Sequence, residues 1–410
     1  MIRIAPHTRK LYVLAFAACC VAAPSAVAQQ AAPRVSAVPT ADYWIYVGAE
    51  SADLIHRVRF GPAGAGVEKT TRAGEIPTES EGPHGLAISA DGTYLHMTTG
   101  HGVPDGKYWR YELGPDTLVG PGTLLGRFPA SIDITPDGLY AFSVNFNLHG
   151  DMVPSTVSVV YTPTHTELAR VVTCVMPHGS RVASSGAFHY SVCMMDDQLV
   201  EIDTHRFKVS RRFSLARGSE GPVNVPHGAP EHSAAWSPAT VEDPAEVGYA
   251  GHRHSMEPNS CSPTWAEPAP DGRSVFVACN KADEIVEVDL DAARVKRRLK
   301  TGRGPYNLAL TPDGRLLLAT LKQGGMFEVF DVVTGTSLAR LTNSTTVAHG
   351  VAVSPDSRYA FVSSEGVGAE PGKVDIYDLH ALVRVASVEV GQQASGIAFW
   401  KMEPRTTTAR

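Results

Sequence analysis

The chain has 410 residues, 43% of them hydrophobic, with 37 Gly and 29 Pro, which is enough apolar material for a large core and too much for a disordered chain. Its net charge of −6 gives an acidic surface, which argues against nucleic acid and anionic lipid as partners.

The first 28 residues read as an export signal: Arg3, Arg9 and Lys10 form a charged start, Leu11 to Ala23 an apolar run, and Ala26-Val27-Ala28 a cleavage site before Gln29. The run is too short to span a bilayer. Phe16-Ala17-Ala18 is a poor lead-in for lipidation at Cys19 or Cys20. Cleavage removes three of the 36 basic residues and no acidic one, leaving 33 against 42. A periplasmic or secreted monomer without a membrane span is expected, with residues 29–41 as a linker and 403–410 as a tail. Cys174, Cys193, Cys261 and Cys279 remain, and export predicts two disulfides with three pairings open. A single bridge, with a thiol left free for metal, is the alternative.

From Gly82 onward one pattern recurs: Gly-Pro-His84-Gly-Leu-Ala-Ile-Ser-Ala-Asp91-Gly returns as Pro177-His178-Gly179, as Gly304-Pro305-Tyr306-Asn307 leading to Pro312-Asp313-Gly314, and as Ala348-His349-Gly350 leading to Pro355-Asp356. Each copy reads as a turn, a short buried strand and a second tight turn. With the turn residue as ruler, the copies fall at Asp91, Asp137, Ser185, Asp271, Asp313 and Asp356, in steps of 46, 48, 86, 42 and 43. Further strands are plain at Ser274–Cys279, Glu284–Leu290 and Arg294–Lys300, and again at Leu316–Ala319, Met326–Val332 and Ser337–Leu341. A period in the forties with four strands per unit predicts an all-β fold, a β-propeller.

Inner strands are expected near His84, Ala130, His178, Thr264, Tyr306, His349 and Ser395, which makes seven blades over residues 42–402. The last inner strand has nothing after it to pair with, whereas Tyr43–Val47, Leu54–Phe60 and a weak strand near Val67 have no inner strand before them. The two chain ends are therefore expected to complete one blade. The step of 86 holds a blade plus an insertion at 216–262, rich in Pro, Gly, His and Ser and expected to act as a lid; a degenerate eighth blade is the alternative. Asp-Gly-Arg-Ser-Val-Phe-Val-Ala-Cys279-Asn and Asp-Glu-Ile-Val-Glu-Val-Asp289-Leu resemble the YVTN or NHL-like bacterial propeller repeats. That resemblance implies a fold and specifies no activity.

Of the 15 His after the signal, nine map to one face. His84, His178 and His349 begin inner strands, His101 and His149 follow second strands, and His227, His232, His252 and His254 lie in the insertion. The others, His56, His96, His165, His189, His205 and His380, are scattered. Ala130, Thr264, Tyr306 and Ser395 occupy the same repeat position as the three strand-start His, so the fold does not require imidazole there. Imidazoles on three blades can converge at the channel mouth, and imidazole suits zinc, copper, iron and nickel. His252-Arg-His254-Ser-Met256 and Cys261 add thioether and thiol, which favours copper, with zinc or calcium as alternatives; Met194-Met195 supports the same preference. The expected metal ligands are thus His84, His178, His349, His227, His252, His254 and Cys261. Tyr306 and Glu267 are the candidate catalytic residues, Tyr306 as acid, base or redox group. Glu267 and Asp133 on inner strands either orient a His or pair with an Arg.

By position, His84, His178, His349 and Tyr306 resemble the ring residues of nitrous oxide reductase, the peptidylglycine amidating lyase and streptogramin lyases. The chain lacks the paired His and the copper domain of the first. The expected function is copper-dependent oxidation of a small substrate, with metal-assisted elimination or lactone hydrolysis, or a non-catalytic scaffold for a periplasmic protein partner, as alternatives. No haem, phosphate-loop or zinc-protease motif is present.

Overall fold

Each repeat folds as predicted into four antiparallel strands. The computed structural model describes residues 36–75, 82–100, 105–148, 150–223 and 259–405. Seven sheets are arranged as the blades of a propeller, and six of them run in sequence order from an inner strand outward. The inner strands are Pro83–Ile88, Pro129–Ile134, Pro177–Val182, Pro263–Pro268, Pro305–Leu310, Ala348–Val353 and Ala394–Pro404. The last of these pairs with Ala41–Ala49, which continues into Leu54–Gly61 and Gly64–Arg72, so the chain ends share one blade and close the ring.

Sequence dictates the layers within a blade. Second strands such as Ser274–Cys279 and Tyr359–Ser364 are buried along their whole length, as apolar runs flanked by sheet on both faces should be. Fourth strands such as Arg294–Lys300 alternate exposed and half-buried residues, and their cations answer buried acids: Arg298 and Lys300 both reach Glu284 of the adjacent strand. The recurring Asp works as a turn lock. In four blades it accepts from the hydroxyl two residues before it, as in Ser89 to Asp91 at 2.6 Å and Thr311 to Asp313 at 2.6 Å, with the other two at Asp137 and Asp356.

The step of 86 contains no eighth sheet among the described residues. After the fourth strand of its blade, Lys208–Ser214, the insertion adds one short strand, Gly221–Pro222. Residues 224–258 lie outside the described residues. The chain returns at Asn259, and the backbone N–H groups of Ser260, Cys261 and Ser262 all donate to the carboxylate of Asp197.

The disulfides join Cys174 to Cys193 and Cys261 to Cys279. Each ties the approach to an inner strand to the end of that blade's second strand. Two bridges fit an oxidising compartment outside the cytoplasm. No helix of the described residues is long and apolar enough to cross a membrane. Residues 1–35, with the predicted signal and most of the linker, lie outside the described residues, as do 406–410.

Candidate functional site at the channel mouth

The mouth is built from two sevenfold sets of equivalent residues. The first is the second residue of each inner strand: His84, Ala130, His178, Thr264, Tyr306, His349 and Ser395. A register shift lies next to this position in all seven blades, including 83/86, 263/265, 305/308 and 348/351, and such bulges re-aim a side chain. The residue before each inner strand is left-handed in all seven blades, at Gly82, Phe128, Met176, Ser262, Gly304, Val347 and Gln393. Val347, at φ 62°, is β-branched and pays conformational strain of about 1–3 kcal/mol for that turn.

Hydroxyls tie the set together across blades. Thr98 donates to the Ala130 carbonyl at 2.7 Å, Ser131 to that of His178 at 2.7 Å, Thr264 to that of Tyr306 at 2.9 Å, and Thr320 to that of His349 at 2.7 Å. The glycine after each of the three His is sterically required. A Cβ at Gly85 would stand 2.2 Å from the Ala130 carbonyl oxygen, and one at Gly179 would stand 2.2 Å from that of Thr264.

The second set is the first residue after each second strand: Glu50, Gly100, Phe146, Met194, Asn280, Lys322 and Glu365. With Phe128, which precedes an inner strand, five rings of the two sets form a closed collar of six in edge-to-face contact: His84 to Phe128 (5.5 Å between centroids), Phe128 to Phe146 (5.8 Å), Phe146 to His178 (4.8 Å), His178 to Tyr306 (5.2 Å), Tyr306 to His349 (4.9 Å) and His349 back to His84 (5.5 Å).

Sequence placed three imidazoles here, and the structure divides them. His84, His349 and Glu50 each offer a ligand atom, and these atoms all lie within 4.8 Å of one another. Nδ1 of His84 is 2.7 Å from Oε1 of Glu50, yet this nitrogen makes no directional hydrogen bond; Nδ1 of His349 is likewise buried without a partner. Burial holds the His349 imidazole well below its usual pKa, with Lys322 and His84 adding to the effect, so it is neutral and its lone pair is free of a proton.

His178 stands outside this trio. Its Nδ1 is 2.9 Å from the Thr264 carbonyl, an acceptor only, so Nδ1 carries the proton and Nε2 accepts from the Tyr306 hydroxyl at 2.9 Å. The imidazole thus makes the link between blades that hydroxyls make elsewhere in the ring, and fixes the Tyr306 phenol. Burial lowers its pKa to about 3 and raises that of Tyr306, so the pair stays neutral.

Two charged neighbours complete the site. Nζ of Lys322 is 2.7 Å from Oε1 of Glu365 and 4.3 Å from the Tyr306 ring centroid, and the same Glu365 oxygen is 3.8 Å from Nε2 of His349. Burial opposes the charge on Lys322, but Tyr306, Glu365 and Glu50 outweigh it and lift its pKa above the ordinary value. Below the collar the channel narrows to a cavity of about 30 Å³ lined by His84, His178, Arg181, Trp265 and His349, among others, with room for a water or two and not for a substrate. Chemistry at this site therefore belongs on the open side of the collar.

Several expectations need correction or relocation. Cys261 is bonded to Cys279, so it has no thiolate to offer a metal. His227, His252 and His254 lie outside the described residues, as do His101, His149 and His232. Glu267 pairs with Arg181 at 3.7 Å and not with a histidine, and burial pushes its pKa up to about 7 despite that cation. Asp133 accepts from the Val182 N–H at 2.8 Å beside the same Arg. Glu50, Lys322 and Glu365 were missed. The repeat carried a signal for them: 84 to 100, 130 to 146, 178 to 194, 264 to 280, 306 to 322 and 349 to 365 are each a step of 16, and the closure blade supplies Glu50.

No protein-family model matches the chain, and no curated protein sequence does. Among solved structures, the hydrazine synthase of Kuenenia stuttgartiensis is similar, with a TM-score of 0.56 and 17% identity over 79% of this chain and 93% of that one. Likeness at that identity is one of propeller fold.

Proposed function

We propose that the protein is an exported metal-dependent enzyme whose ion is held at the channel mouth by Glu50, His84 and His349. The observation that carries this reading is the convergence of one carboxylate and two imidazoles, with Nδ1 of His84 against the carboxylate and Nδ1 of His349 buried without a hydrogen-bond partner. Donors about 2.1 Å from a common ion lie at most about 4.2 Å apart, so small side-chain rotations would close the set. One oxygen and two nitrogens leave coordination positions open, and such a set suits zinc or iron(II) better than copper once the Cys261 thiol is withdrawn.

A metal there would act as a Lewis acid on a small substrate lying on the open face. Tyr306, fixed by His178, would present its hydroxyl to that substrate, and Lys322 would place a positive charge beside it. This supports metal-assisted elimination or hydrolysis. A second reading, oxidation by copper or iron, is favoured by the phenol of Tyr306, a redox-capable group packed 4.9 Å from His349 between ring centroids.

Elemental analysis of protein purified without a chelating tag tests both. Stoichiometric zinc supports the first reading, and copper or iron the second. Absence of any stoichiometric metal, from the purified protein and after incubation with each ion, would end the proposal.

A further inference from the structure

The mouth is chemically lopsided. Its charged and metal-ligating groups, Lys322, Glu365, His349, Glu50 and His84, come from four consecutive blades. The adjoining two blades place Ala130, Phe146 and Met194 at three of the four equivalent positions, His178 holding the fourth, with Phe128 beside the three in one apolar cluster. From Phe146 and Met194 the chain runs directly into exposed apolar residues: Leu148 at 37%, Met152 at 56% and Met195 at 39% exposure. These residues follow the apolar ring positions on the loops after two neighbouring second strands, and together with Phe146 and Met194 they offer apolar surface beside the mouth.

Charge identifies the other end of that ligand. Two carboxylates, Glu50 and Glu365, face one ammonium, Lys322, and a divalent ion on the trio would reverse the sign of that balance. Because the cavity below the collar admits only water, a ligand must lie across the face from the charged side to the apolar side.

We propose that the site takes an organic anion with an apolar body, its acidic head on the Lys322 and metal side and its body over the Phe146 and Met194 side. This rests on the metal reading for the sign of the head group. The chemistry fits an aliphatic or aryl carboxylate, and excludes ammonium compounds and fully polar sugars.

The probes are octanoate, acetate and octylamine, titrated calorimetrically into protein loaded with zinc, whose uptake is measured separately by elemental analysis. Octanoate should bind at least about tenfold tighter than acetate, since burying even two methylenes is worth that much. Octylamine should bind more weakly than octanoate by a similar factor. Met195→Ser, at an exposed position that the fold tolerates, should weaken octanoate about threefold and leave acetate unchanged, and Lys322→Gln should weaken both acids. Equal binding of octanoate and acetate, or of octanoate and octylamine, would overturn the proposal. If zinc uptake fails, the metal reading falls and the acidic head group falls with it, whereas equal binding of octanoate and acetate to zinc-loaded protein overturns this proposal and leaves the metal reading standing.

Discussion

Replacing His178 and replacing Glu50 should have opposite consequences for metal binding, although sequence ranks His178 as a ligand and is silent about Glu50. A ligand that binds only the folded state stabilises it by RT ln(1 + [L]/Kd), about 2.7 kcal/mol at one hundred times Kd. For a chain of this size that raises the melting midpoint by roughly 3 °C. Glu50→Gln keeps the size of the side chain and removes the one carboxylate of the trio. Losing a ligand costs at least the hundredfold that outer-shell changes reach, so at the same zinc concentration the shift drops to about 0.4 kcal/mol, under 1 °C. His349→Ala should do the same. His178→Ala loses its bonds to Thr264 and Tyr306 and leaves a cavity, which lowers the zinc-free midpoint by an amount corresponding to about 2–4 kcal/mol. Its zinc-dependent shift should nevertheless persist. Differential scanning fluorimetry of the four proteins with and without zinc reads this directly. A shift lost in His178→Ala and kept in Glu50→Gln would refute the assignment of the trio and return the ion to the three imidazoles.

The Cys261→Ser, Cys279→Ser double variant should lose about 3 kcal/mol in urea unfolding, the loop-closure value for a sequence separation of 18, while binding zinc as tightly as the wild type, because neither sulfur is a ligand. Gly396→Ala places a Cβ 2.0 Å from the His84 carbonyl oxygen and should cost 1–3 kcal/mol or more and loosen the mouth, whereas Gly66→Ala meets no atom within 4 Å and should leave the unfolding midpoint nearly unchanged. Acid should destabilise the fold through its buried imidazoles. Burial lowers the pKa of both His96 and His189 to about 3, so the unfolded chain binds protons from about pH 6.5 downward while the folded one does not. Stability is therefore fully present above pH 6.5 and falls by about 1 kcal/mol per pH unit for each His until about pH 3. His189→Phe, which preserves the stack on Phe142, should remove one of these two contributions, seen as a smaller difference in urea midpoint between pH 7 and pH 5.

The propeller was legible because its signals are local and repeated. A turn Asp with a hydroxyl two residues before it, and a Pro at the start of five of the seven inner strands, each solve a backbone problem inside one blade, so every copy shows the same residues. The mouth obeys the opposite logic. Its fold-bearing work is done by main-chain carbonyls and by whatever donor the neighbouring blade supplies, Thr98 in one place and His178 in another, so the residue type at a ring position does not reveal whether it serves the ring or a ligand. His178 looked like a ligand for that reason. Glu50 escaped notice because its blade is assembled from the two chain ends, which breaks the step of 16 that relates His349 to Glu365 and Tyr306 to Lys322. Counting along the chain finds a site residue only where both rings of a blade come from one continuous segment. A carboxylate in the closure blade of a propeller has to be paired instead with the first blade after the seam, and doing so here brings Glu50 to His84 at 2.7 Å.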